Sequence, residues 1–231
     1  MSFVLNDEKR IFVSLNIDVT KGTPEQIKEV VETFKSDFYE ISITNETSIM
    51  ISTKKATFEY LENCQELKNL LNTLNKMGFK AHNAKNQLLK IAIYHDKYME
   101  RTKHKVDCFI NQIGEICKII GRKNKVFKFR YEETCHANLC KNTISNSLVM
   151  WDNKCAVFKF FRSTLKYSTI LASIEFVKNI FDFFEEEKIT FDELYENKQS
   201  VLVKYCKYCI KHNKYLTEYA KSLNFTRFVN E

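Results

Sequence analysis

Between residues 10 and 19 the chain reads RIFVSLNIDV, with Ile11, Val13, Leu15, Ile17 and Val19 alternating against Phe12, Ser14, Asn16 and Asp18. A period of two puts the first set on one face of a pleated strand and the second on the other, so this stretch predicts a strand with one buried face. GTPEQ follows. There Thr23 is a capping hydroxyl, Pro24 suits the first helical position and Gln26 completes a capping box, so a helix is expected to run to about Phe38. Residues 39–53, YEISITNETSIMIST, read as a hairpin turning near Asn45-Glu46. Leu61, Leu67, Leu70, Leu71 and Leu74 recur at helical spacing and predict a second helix over 57–77, with Gly78 as its stop. Two short strands are expected on either side of residues 83–86. Asp96 then caps a third helix that ends near Gly121.

Strand, helix, hairpin, helix and strand over residues 10–83 is the order of a ferredoxin-like βαββαβ unit. RNA-recognition motifs share this order, but the third strand, SIMIST at 48–53, lacks their aromatic and Lys/Arg-Gly-Phe/Tyr element. A further strand is expected at 126–131, and LVMWDNKCAVFKFF, residues 148–161, reads as a hairpin turning at Asp152-Asn153. From about Ser163 the pattern turns helical. Thr190 to Glu193, TFDE, is a second capping box, so a break falls near Ile189, and a last helix is expected over 199–223. The expectation is therefore an α+β protein: an α+β region over 1–161, with a mainly helical region over 162–231 packed on it as one body.

Composition narrows the classes. The chain has 231 residues, 28% of them charged and 44% hydrophobic, which is ordinary globular usage and enough length for a core. Four Gly and one Pro stand beside 19 Phe and 11 Tyr. With so few glycines there is no phosphate-cradling Gly-rich loop, and His-Glu-x-x-His and Gly-x-Ser-x-Gly are missing too. No apolar run follows a basic start and none reaches about 18 residues, so neither a signal peptide nor a membrane span is expected. Cytoplasm, or nucleus, is the expected compartment, where the eight cysteines stay reduced.

Two cysteine–histidine clusters carry candidate metal chemistry. In YCKYCIKHNKY, residues 205–215, Cys206, Cys209 and His212 fall on one side of a helix. Structural zinc needs four ligands, so a fourth would have to come from Cys135, His136, Cys140 or Cys155. The first pair, Cys206 and Cys209, has no glycine or turn residue between its cysteines, and Lys204, Lys207, Lys211 and Lys214 mark the outer side of such a helix. Packed thiols are therefore the expectation, with no cofactor; zinc on Cys206, Cys209 and His212 is the alternative. The Cys-x-x-Cys-x-x-His run over 206–216 also resembles the redox pair of Erv-type sulfhydryl oxidases. That resemblance implies a flavin pocket with aromatic and His/Asn residues on a downstream helix. Only nineteen residues follow His212, and they end FTRFVNE, so the redox reading is set aside.

The net charge of +7 is not evenly spread. Residues 118–170 hold eleven bases and three acids, a net +8, while the rest of the chain sums to about −1. CKIIGRKNKVFKFR, residues 117–130, has six bases and no acid. Such a stretch binds polyphosphate backbones by neutralising charge and releasing counterions. Lys118, Arg122, Lys123, Lys125, Lys128, Arg130, Lys159, Arg162 and Lys166 are the candidate RNA-binding residues. Phe160, Phe161 and Tyr167 interleave with them as candidate stacking platforms. The expected function is a non-enzymatic factor that docks on RNA or a ribonucleoprotein such as the ribosome through residues 118–166. A protein adaptor for an acidic partner is the first alternative; an enzyme of unrecognised class or a zinc-stabilised protein is the second.

Overall fold

In a computed structural model the structure describes residues 11–81, 88–95, 99–113, 117, 120–121, 149–152 and 155–223. It is a mixed α+β fold on an antiparallel sheet. Strand β1 (Phe12–Thr20) is followed by α1 (Pro24–Thr33), the hairpin β2 (Tyr39–Asn45) and β3 (Ser48–Thr53), and the two-residue β4 (Ala56–Thr57). Helices α2 (Phe58–Asn63) and α3 (Gln65–Lys76) lead to β5 (Leu88–Tyr94) and α4 (Met99–Gln112). A second hairpin, β6 (Val149–Asp152) and β7 (Cys155–Arg162), precedes α5 (Tyr167–Glu186), α6 (Phe191–Glu196), α7 (Lys198–His212) and α8 (Tyr215–Ser222). The sheet order is β2-β3-β1-β5-β7-β6, with β4 pairing to β1.

The alternation seen in the sequence decides which face of β1 is covered. Val13, Leu15, Ile17 and Val19 are fully buried, while Phe12, Ser14, Asn16 and Asp18 are half-buried. The buried row joins Ile27 and Val30 of α1, Leu67, Leu70, Leu71 and Leu74 of α3, and the apolar body of α5 in one continuous core. Helix α5 is buried along most of its surface. It lies between the sheet and α4, α7 and α8, which explains why its sequence shows a broad apolar band rather than a stripe.

Both predicted capping boxes form. Thr23 Oγ1 accepts from Gln26 N while Gln26 Oε1 accepts from Thr23 N, and Thr190 and Glu193 repeat the exchange. Gly78 has a positive φ of 86°, the left-handed turn that ends the second helix.

Several boundaries differ from the pattern. The first helix stops at Thr33 rather than Phe38, since Phe38 instead leads into β2 with its N–H held by Ser36 Oγ at 3.0 Å. The 57–77 helix is broken at Cys64, which ends α2 and begins α3. The strand expected before residue 83 is reduced to a bridge, Thr20 and Lys80 exchanging two bonds of 2.8 Å. The strand that flanks β1 is β5 instead. The last helix is two, broken at Asn213, whose φ of −132° and ψ of 135° are extended. The expected strand at 126–131, the Asp96 cap and the turn residue Asn153 lie outside the described residues.

Candidate nucleic-acid interface

The basic segment is described only at its C-terminal end. Lys118, Arg122, Lys123, Lys125, Lys128 and Arg130 lie outside the described residues. Lys159, on β7, is half-buried and donates to Met150 Sδ on the neighbouring β6, so its ammonium is drawn along the sheet. Arg162 is exposed at the end of β7, opposite Leu88 of β5. Lys166 is exposed at the start of α5.

Two of the three aromatics expected to stack on bases cannot do so. Phe160 and Phe161 are each only 1% exposed and pack edge-on against Phe176 of α5, with ring centroids 6.1 and 6.3 Å away. A bulge in the β5–β7 pairing, between Leu89 and Ile91, lets consecutive residues of β7 both enter the core. Strand alternation alone would have sent one of them outward. Tyr167 is half-buried, and its hydroxyl donates to Leu61 O of α2.

Lys166 and Tyr167 instead line a cleft of about 570 Å³. Its opposite walls come from α3, through Lys68, Asn72 and Asn75, and from the bridge segment, through Phe79, Lys80 and Ala81. Lys68 and Lys166 are exposed and Lys80 is half-exposed. None of the three ammonium groups has an ion-pair partner among the described residues. Glu62 is the single acid among the described residues of the lining, and one of its oxygens accepts from Tyr215 Oη at 3.2 Å. Lys68 and Lys80 were missed in the sequence because they lie far from the basic segment and only tertiary packing brings them to Lys166. Hydrogen bonds fix two of the walls: Lys80 is pinned by its two backbone bonds to Thr20, and Ser163 Oγ donates to Asp18 O at 2.7 Å, tying the approach to α5 onto β1.

The cysteine–histidine run on α7 is split by the helix surface. Cys206 is fully buried and Cys209 is 2% exposed. His212 is exposed and stacks on Tyr208, with ring centroids 4.5 Å apart. Lys204, Lys207, Lys211 and Lys214 are all exposed. Burial pushes both thiols up to about 12, the direction opposite to that of a nucleophilic thiolate. Asn179 Nδ2 of α5 points at Cys209 Sγ, 3.7 Å away. Cys155 is buried on β7; Cys135, His136 and Cys140 lie outside the described residues. Among the described residues no three His, Cys, Asp or Glu side chains converge as a metal site.

No described helix is long and apolar enough to cross a membrane. No protein-family model matches the chain, and no curated protein matches it.

Proposed function

We propose that the chain is a non-enzymatic cytoplasmic factor that docks on RNA, or on an RNA–protein surface such as the ribosome, through residues 118–166. The observation that carries this reading is the gathering of three lysines, Lys68, Lys80 and Lys166, with no ion-pair partner among the described residues, around one cleft at the end of the basic segment. Like charges brought together raise the local positive potential, which attracts a polyanion. The net +8 of residues 118–170 supports the same partner chemistry. The N-terminal unit fits a ferredoxin-like reading, supported by the order β2-β3-β1-β5 and its antiparallel pairing, with β6 and β7 as an extension.

Titration of the purified protein into labelled single-stranded RNA tests the proposal. Affinity should fall steeply between low and physiological salt. The triple variant Arg122→Glu, Lys123→Glu, Lys125→Glu should bind at least about tenfold more weakly, because phosphate contacts dominate such affinity. Equal affinity of variant and parent at low salt overturns the reading. Association in lysate that survives nuclease treatment replaces RNA with an acidic protein as the partner.

A further inference from the structure

The cleft has more definition than a diffuse basic surface needs. Its lysines come from three separate places: Lys68 on α3, Lys80 at the bridge to β1, and Lys166 immediately before α5. The cleft volume of about 570 Å³ falls within the range of small-molecule sites. Half-buried Tyr167 and Tyr215 supply aromatic wall, and the exposed amides of Asn72 and Asn75 supply donors and acceptors on the α3 side. Among the described residues, three ammonium groups against one carboxylate leave the lining net positive. That carboxylate, Glu62, already accepts a hydrogen bond from Tyr215.

The backbone at this place favours the same charge. Helix α5 runs twenty residues, yet its N-cap residue, Lys166, makes no side-chain cap bond and its first turn holds no acid. Thr164 Oγ1 accepts from Lys166 N at 3.1 Å, one position too early to cap the first helical amides. The amides of Tyr167 and Ser168 have no acceptor among the described residues, and both residues line the cleft. Orphan donors at the positive end of a long helix add to the pull of the lysines on an anion. A metal is disfavoured by the same lysines.

We propose that this cleft binds a nucleotide 5′-phosphate, the phosphate held by Lys68, Lys80 and Lys166 and the nucleoside lying against Tyr167 and Tyr215. The phosphate belongs either to a free mononucleotide or to the end of an RNA strand. The strand-end arm rests on the RNA reading above; the mononucleotide arm does not.

Calorimetric titration with adenosine 5′-monophosphate and with adenosine, and parallel titration with 5′-phosphorylated and 5′-hydroxyl oligoadenylates, test it. The monophosphate should bind with a Kd of about 1 mM or tighter, with adenosine at least about tenfold weaker. Lys68→Ala and Lys80→Ala should each weaken the monophosphate by about tenfold at unchanged melting temperature, since both side chains lie at the surface. A preference for the 5′-phosphorylated strand identifies an RNA end as the source. Equal strand affinities beside a tight monophosphate identify the free nucleotide. If neither phosphorylated probe exceeds its phosphate-free counterpart, or if Lys68→Ala and Lys80→Ala leave both unchanged, the proposal falls. These two lysines lie outside residues 118–166, so the outcomes separate. RNA binding lost only in the Arg122, Lys123, Lys125 variant leaves the RNA reading standing without the cleft. Monophosphate binding in a protein with no RNA affinity leaves the cleft standing without the RNA reading.

Discussion

Cys209 shows how much one buried atom depends on what it faces. The sulfur packs as a small hydrophobe, and by that alone its loss would cost about 1 kcal/mol. But Asn179, itself 2% exposed, directs its amide at that sulfur. Removing the sulfur leaves a buried donor without an acceptor, a loss of about 1–3 kcal/mol. Cys209→Ala should therefore destabilise the protein more than Cys206→Ala, whose thiol is raised by burial alone. Urea unfolding of the two variants checks the order. The spacing of Cys206, Cys209 and His212 was legible as a helix register. The stacking of His212 on Tyr208 and the approach of Asn179 to Cys209 were not, since each depends on a partner from one turn away or another helix.

Among the elements, the breaks carry the instruction that pattern cannot. No glycine or proline divides α7 from α8. Asn213 Nδ2 donates to Cys209 O at 2.7 Å, holding the end of α7, and Thr217 Oγ1 donates to Asn213 O at 2.5 Å. The start of α8 is fixed from outside: Glu175 of α5, 5% exposed, accepts from Leu216 N at 2.6 Å. Burial raises the Glu175 carboxyl above its ordinary value of 4.5, against the opposing pull of the Leu216, Tyr215 and Lys214 amides. A carboxyl raised in the folded state holds its proton longer there than in the unfolded chain. Its contribution is then full below the ordinary value, and stability falls as pH rises through 4.5 toward the raised value. Glu175→Gln keeps an accepting oxygen and should flatten this part of the stability–pH curve. Glu175→Ala strands the Leu216 amide and should cost about 1–3 kcal/mol at every pH. Denaturant midpoints across the acid range check both. An unchanged slope in Glu175→Gln would remove Glu175 as the source.

For the molecule as a whole, the contact between helix and sheet near Gly121 is a tight one. A Cβ built on Gly121 would collide with the carbonyl oxygen of Phe160 on β7. Backbone cannot swing aside as a flexible side chain would. Tyr219 of α8 donates to the neighbouring Ile120 O at 3.1 Å, so this point joins the region after α4, the sheet and the last described helix. Gly121→Ala should cost about 1–3 kcal/mol as an overpacking change. Thermal unfolding checks it, and an unchanged midpoint would mean that the region yields. The lysine-lined cleft is a separate place, where Lys166 and Tyr215 meet residues from α3.

By itself the sequence determined the α+β class, the covered face of β1, the β2–β3 hairpin and the starts of α1 and α6. All of these rest on short-range physics: side-chain alternation, a threonine three residues before its capping partner, a glycine able to take positive φ. Only the tertiary structure decided where the long helical patterns break, at Cys64 and at Asn213, since neither break falls on a glycine or a proline. It alone buried Phe160 and Phe161, through a bulge in the pairing with β5 that alternation does not announce. And it alone brought Lys68 and Lys80 beside Lys166. Charge counted along a chain finds runs, whereas a cleft is assembled from residues whose separation in sequence carries no sign of their nearness in space.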